Sequence, residues 1–146
     1  MDPKNRIIEI NNLISLNKLP QAFSKCESLL KKIPNNSYLL NLQGLILQQS
    51  NQQKKSIIYF QKSLSVQKDN YAAMNNLANS YKSLFEFEEA EKLYKIIISN
   101  DAGNIRALNN YANLKREINQ YQHAKELLLK ALKIEPRNIN ILLNLA

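Results

Sequence analysis

Glycine, proline, cysteine, histidine and tryptophan are scarce in this chain of 146 residues, which holds two Gly, four Pro, one Cys, one His and no Trp. So few turn-formers exclude a sandwich or barrel built from many short strands. The lone Cys26 cannot close an internal disulfide, and no Cys or His spacing offers a zinc site, so a reducing compartment is expected. His123 has no Cys, Ser or Asp partner in any recognisable arrangement and reads as a surface residue. Gly44 and Gly103 stand alone, which leaves no glycine-rich phosphate loop. No stretch approaches the roughly 20 apolar residues that span a bilayer, and Met1 to Arg6 lack the apolar core of a secretory signal. The expectation is a cytoplasmic chain that is not an enzyme, with no catalytic residues, cofactor or metal.

What is present is ordinary for a folded domain, at 45% hydrophobic and 22% charged residues, and with strands excluded the fold class is all-α. The formal charge of +8 is uneven: residues 3–36 carry +4, 37–70 carry +3, 71–104 carry −2 and 105–138 carry +4. That distribution reads as solvated helix faces and argues against nucleic acid as the partner. The acidic run Glu86, Glu88, Glu89 and Glu91 reads the same way, with Glu88–Lys92 and Glu91–Lys95 as i,i+4 pairs on an exposed helix.

The organising feature is a repeat. Asn36, Asn70, Asn104 and Asn138 recur every 34 residues, each just before an apolar helical pattern. Asparagine is a favoured N-cap, because its side chain accepts a bond from an otherwise unpaired helix N–H. Counting places from the residue after each asparagine puts Pro34 and Pro136 at place 32, where proline ends a helix. Place 20 holds Ala22, Ser56, Ala90 and Ala124, and place 24 holds Cys26, Phe60, Tyr94 and Leu128. Place 8 is again small in Gly44, Ala78, Ala112 and Ala146. Small and bulky residues at such spacing let helices cross closely. Polar breaks at Asn17-Lys18, Asn51-Gln52, Phe85-Glu86 and Asn119-Gln120 divide each repeat into two helices.

Small residues at places 8 and 20, a bulky one at 24 and proline at 32, within a 34-residue helix pair, resemble the tetratricopeptide repeat. The resemblance covers the chain as a single array, residues 1–146, in repeats 3–36 (divergent, with Arg6 and Ile10 at places 4 and 8), 37–70, 71–104 and 105–138. A partial fifth repeat occupies 139–146. Residues Ala73 to Tyr81 with Phe87 to Glu91 carry the pattern best, whereas Gln43 at place 7 and Lys115 at place 11 depart from it. The resemblance implies a right-handed α-solenoid of antiparallel helix pairs whose first helices line a concave surface.

Places 2, 5, 6, 9 and 12 would share that concave face. They hold Asn41, Asn75 and Asn109 at place 5, Asn76, Asn110 and Asn144 at place 6, and Asn79 and Asn113 at place 9. An asparagine side chain offers the donors and acceptor of a peptide bond, so a row of them can hold an extended backbone. The row resembles the asparagine ladder in the helical arm of O-linked N-acetylglucosamine transferases; a chain rich in asparagine would also scatter it over exposed faces. Lys82, Arg106 and Arg116 would join the same face and attract an acidic segment or a terminal carboxylate. The carboxylate clamp of chaperone-binding relatives is not expected, since Ile7 and Ala72 replace two of its lysines.

The expected function is a protein–protein interaction module that takes a peptide or partner protein in the groove. Two other readings stand beside it. The chain would be the substrate-recognition arm of a larger glycosyltransferase or sulfotransferase continuing past Ala146, or it would self-assemble through an open apolar edge at Leu142 to Leu145.

Overall fold

The computed structural model describes residues 2–146 and contains, among them, nine α-helices and no strand. The helices are α1 (Pro3–Ser15), α2 (Leu19–Lys32), α3 (Ser37–Gln49), α4 (Gln53–Val66), α5 (Tyr71–Ser83), α6 (Phe87–Asn100), α7 (Ile105–Glu117), α8 (Tyr121–Ile134) and α9 (Ile139–Leu145). None of the described helices is long and apolar enough to cross a membrane. The chain divides into two compact units, Met1–Ser80 and Tyr81–Ala146.

The asparagine register does what N-cap chemistry requires. Asn36, Asn70, Asn104 and Asn138 each accept a bond at Oδ1 from the backbone N–H three residues on, at 2.9, 3.1, 3.0 and 3.2 Å. The turns inside the helix pairs are equally regular. Asn17, Asn51, Phe85 and Asn119 all take the left-handed conformation, with φ of 56° to 62°. Around each, two bonds close a Schellman motif, as where Lys18 N–H reaches the Leu13 carbonyl at 2.8 Å and Asn17 N–H the Ile14 carbonyl at 2.9 Å. Asparagine tolerates this conformation because its short polar side chain relieves the backbone locally; phenylalanine has no such relief.

In the first unit, Ile10, Ala22, Cys26, Leu39 and Phe60 are fully enclosed. Small places meet large ones here: a Cβ added to Gly44 would come within 2.5 Å of the Phe60 ring, so glycine is what lets α3 lie against α4. The Cys26 thiol approaches the Leu39 carbonyl at 3.6 Å, and burial pushes its pKa up to about 12, which makes it a packing residue. Gln43 at place 7 is buried too, and neither its Oε1 nor its Nε2 has a partner.

Asn70 does more than cap α5. Its Nδ2 donates to Ser37 Oγ at 2.8 Å and Ser63 Oγ at 3.2 Å, while the Ser63 hydroxyl donates to the Ser37 carbonyl at 2.8 Å. The start of α3, the end of α4 and the start of α5 are thereby tied at one buried polar knot.

In the second unit, Ala90, Tyr94, Ile97, Leu108, Leu114 and Leu128 form the interior, with Tyr94 stacked on Tyr111 at 5.7 Å between centroids. His123 is half-buried and meets the Tyr111 ring edge-on at 5.5 Å, so it is a packing residue rather than a surface one. Ile139, Leu142 and Leu143 of α9 are exposed.

Candidate functional site

The asparagines of places 5 and 6 meet each other. Asn76 Nδ2 donates to Asn41 Oδ1 at 3.0 Å in the first unit, and Asn144 Nδ2 donates to Asn109 Oδ1 at 2.8 Å in the second. Each bond joins place 6 of one repeat to place 5 of the repeat before, 35 residues apart. First helices packed about 8–10 Å apart bring two such short side chains within bonding range. Gln48 adds bonds to the Asn76 carbonyl at 2.8 Å and to Ser80 Oγ at 2.9 Å.

This corrects the expectation of an open row. Asn75 and Asn76 are 1% and 2% exposed, so neither can present its amide to a ligand without a rearrangement of the helices. Asn41, Asn79, Asn109, Asn110, Asn113 and Asn144 are half-buried and keep an edge towards solvent. The 35-residue offset of Asn41 to Asn76 and of Asn109 to Asn144 was visible in the sequence as a signal of the pairing across repeats, but not of which asparagine is buried.

The cations are placed unequally. Lys82, Asn113, Arg116, Glu117 and Tyr121 line one open cleft of about 450 Å³ in the second unit. Lys82 Nζ lies 3.0 Å from a Glu117 carboxylate oxygen, which satisfies its charge, whereas Arg116 is exposed and makes no ion pair among the described residues. A second cleft of about 300 Å³ shares Arg116 and Tyr121 and extends to Asn144. Arg106 is exposed but stands near the opposite end of α7, ten residues or about 15 Å along the helix from Arg116, and lines neither cleft. The expected cluster of Lys82, Arg106 and Arg116 is therefore a pair, with Arg106 apart.

One constellation escaped the sequence reading. Lys115, at the departing place 11, is 3% exposed and reaches Glu91 at 2.8 Å. The same carboxylate oxygen accepts from the Tyr111 hydroxyl at 2.6 Å and pairs with Lys95 Nζ at 2.9 Å. Burial alone would raise the Glu91 pKa, but the bonds from Lys115, Tyr111 and Lys95 outweigh it and bring the pKa down to about 2. Burial first, then the bond to Glu91, pushes the Tyr111 hydroxyl above its ordinary range. The neighbouring pair is Glu89–Lys92 at 2.7 Å, not Glu88–Lys92; Glu88 and Glu89 occupy the first turn of α6, where acid complements the helix dipole. Glu91 is thus a structural counter-ion.

The repeated helix pair, its caps and its turns have a known counterpart. The family described as "Psidin, N-terminal TPR repeats region" matches residues 4–143. The chain belongs to this family of tetratricopeptide-repeat proteins. No match is found among the curated proteins. Solved structures of similar fold include a tetratricopeptide repeat protein from Parabacteroides merdae, with TM-score 0.78 and 21% identity over 97% of this chain and 56% of that one. PilF of Pseudomonas aeruginosa is similar at TM-score 0.87 and 16% identity, over 97% of this chain and 65% of that one. The first TPR of Spaghetti (RPAP3), bound to an HSP90 peptide, is similar at TM-score 0.69 and 18% identity, over 75% of this chain and 86% of that one. This TPR chain thus spans little more than half the length of the Parabacteroides protein, and at such identities the likeness concerns the fold.

Proposed function

We propose that this TPR chain is a protein-interaction module that holds an extended peptide segment bearing a carboxylate, with Arg116 as its anchor. The observation that carries the reading is the joined pair of clefts in the second unit. There the exposed guanidinium of Arg116 stands beside the half-buried amide of Asn113 and the exposed ring of Tyr121. A guanidinium binds a carboxylate bidentately, and an asparagine amide supplies the donor and acceptor that a peptide backbone needs. Asn144 lies further along the second cleft and offers a further polar contact. Helical repeats of this fold hold a peptide with acidic residues, SRMEEVD, in the RPAP3 structure, which supports the ligand class.

Selection of short peptides from a displayed random library against this chain tests the reading. Peptides carrying acidic residues or a free C-terminal carboxylate are expected, and Arg116→Ala is expected to weaken their binding by about tenfold with an unchanged melting temperature. Asn113→Ala should weaken it less. Binders whose affinity ignores both substitutions, or a library that yields none, would overturn the proposal.

A further inference from the structure

A second candidate surface lies in the first unit and shares no residue with the Asn41–Asn76 bond. Between α2 and α4 runs a furrow made of two clefts of about 610 and 490 Å³ that share Tyr59. Leu19 and Phe23 from the start of α2 and Lys55 and Ile58 from the start of α4 line the first, over Leu47 of α3. Leu30 and Lys31 from the end of α2 and Lys62 and Val66 from the end of α4 line the second. Starts face starts and ends face ends, so the two 14-residue helices run in the same direction and the furrow follows both for about 21 Å.

We propose that this furrow docks an acidic amphipathic helix of a partner protein. Its floor is apolar, with Ile58 51% exposed near the start of α4 and Val66 exposed near its end, more apolar surface than a lone surface residue explains. The furrow's serines are already engaged as donors: Ser24, Ser50 and Ser65 each give their hydroxyl proton to a backbone carbonyl three or four residues back, at 3.1, 2.8 and 2.7 Å. A straight furrow between two parallel helices is shaped for a third helix, whose N–H and C=O groups are satisfied within itself.

Charge selects which helix. Between Ile10 and Val66 the chain carries seven lysines and one carboxylate, Glu27. Lys31, Lys55 and Lys62 stand along the furrow; Glu27 also lines it, 3.9 Å from Lys31, so Lys55 and Lys62 carry its positive charge, with Lys62 Nζ 5.3 Å from the centroid of the Tyr59 ring. A helix with an apolar row at i, i+3, i+4 and i+7 and glutamates on both flanks fills the apolar floor and meets these lysines. This surface is independent of the Arg116 cleft.

The test uses a synthetic peptide of about four helical turns, with leucines on one stripe and glutamates elsewhere, titrated into the isotopically labelled chain. Amide shifts at Phe23, Ile58 and Tyr59 are expected. Ile58→Glu, or Lys55→Glu with Lys62→Glu, should each weaken by about tenfold the binding read from the Phe23, Ile58 and Tyr59 shifts, and those shifts should persist in Arg116→Ala. Circular dichroism checks that these variants keep their helices, which they should, since Ile58, Lys55 and Lys62 are all exposed. No binding at millimolar peptide, equal binding of the lysine-for-glutamate peptide, or equal binding of a proline-broken one overturns the proposal. So do shifts confined to residues 81–146, or dissociation of a dimer of this chain by Ile58→Glu, which would make the occupant a second copy.

Discussion

Lys115 Nζ and the Glu91 carboxylate lie 2.8 Å apart although 24 residues separate them, and the lysine is almost wholly buried. Removing one partner of such a pair leaves an uncompensated charge, so Glu91→Gln should cost roughly 3 kcal/mol of stability in denaturant titration. The double substitution Glu91→Leu with Lys115→Met should recover most of that loss. The pH dependence has a definite sign. Folded Glu91 holds its proton off down to about 2, against an ordinary value of 4.5, so the unfolded chain protonates first as acid is added. The contribution is complete above 4.5 and drains away between 4.5 and about 2. In Glu91→Gln that part of the acid dependence should be missing.

Gln43 sits at an apolar place with both side-chain polar atoms buried and unbonded. A buried amide without partners costs about 1–3 kcal/mol, and leucine has nearly the same volume. Gln43→Leu should therefore raise the midpoint of denaturation, by about 1 kcal/mol or more. A lower midpoint would mean that the amide is satisfied in solution.

Phe85 has a φ of 62° where the three equivalent turns have asparagine, and its ring is 79% exposed, paired edge-on with Phe87 at 5.9 Å. A bulky residue in the left-handed region carries about 1 kcal/mol of strain or more. Phe85→Asn should stabilise the chain and raise its melting temperature by a few degrees. No gain would show that the ring contact with Phe87 offsets the strain.

Asn76 and Asn113 should part company under alanine substitution. Asn76→Ala removes the donor to Asn41 inside a buried seam and should lower stability by about 1–3 kcal/mol. Asn113→Ala, at a half-buried cleft position, should leave stability within about 0.5 kcal/mol. Thermal denaturation of the two single variants, side by side, is sufficient.

The caps and turns were legible because their chemistry is local: an asparagine ahead of an apolar pattern, or a polar break between two patterns, acts on neighbouring backbone whatever surrounds it. Small-against-large packing, as at Gly44 and Phe60, was legible because the repeat displays it three times, with Ala78 and Tyr94 and with Ala112 and Leu128. The candidate site was less so. Whether Asn76 faces solvent or Asn41 depends on how closely two helices approach, which side-chain periodicity alone does not encode. Lys115 was visible as a departure, but its counter-ion looked like half of an ordinary Glu91–Lys95 surface pair. Finding it required knowing that place 21 of one repeat abuts place 11 of the next.

The knot at Asn70 has a kinetic consequence. Because one side chain caps α5 through Ala73 N–H and also holds the hydroxyls of Ser37 and Ser63, the first turn of α5 cannot fray without loosening α3 and α4. Helix ends ordinarily open alone and exchange their amide protons quickly. Here the Ala73 amide should exchange only when several helices open together, and Asn70→Ser should return it to the faster, local regime.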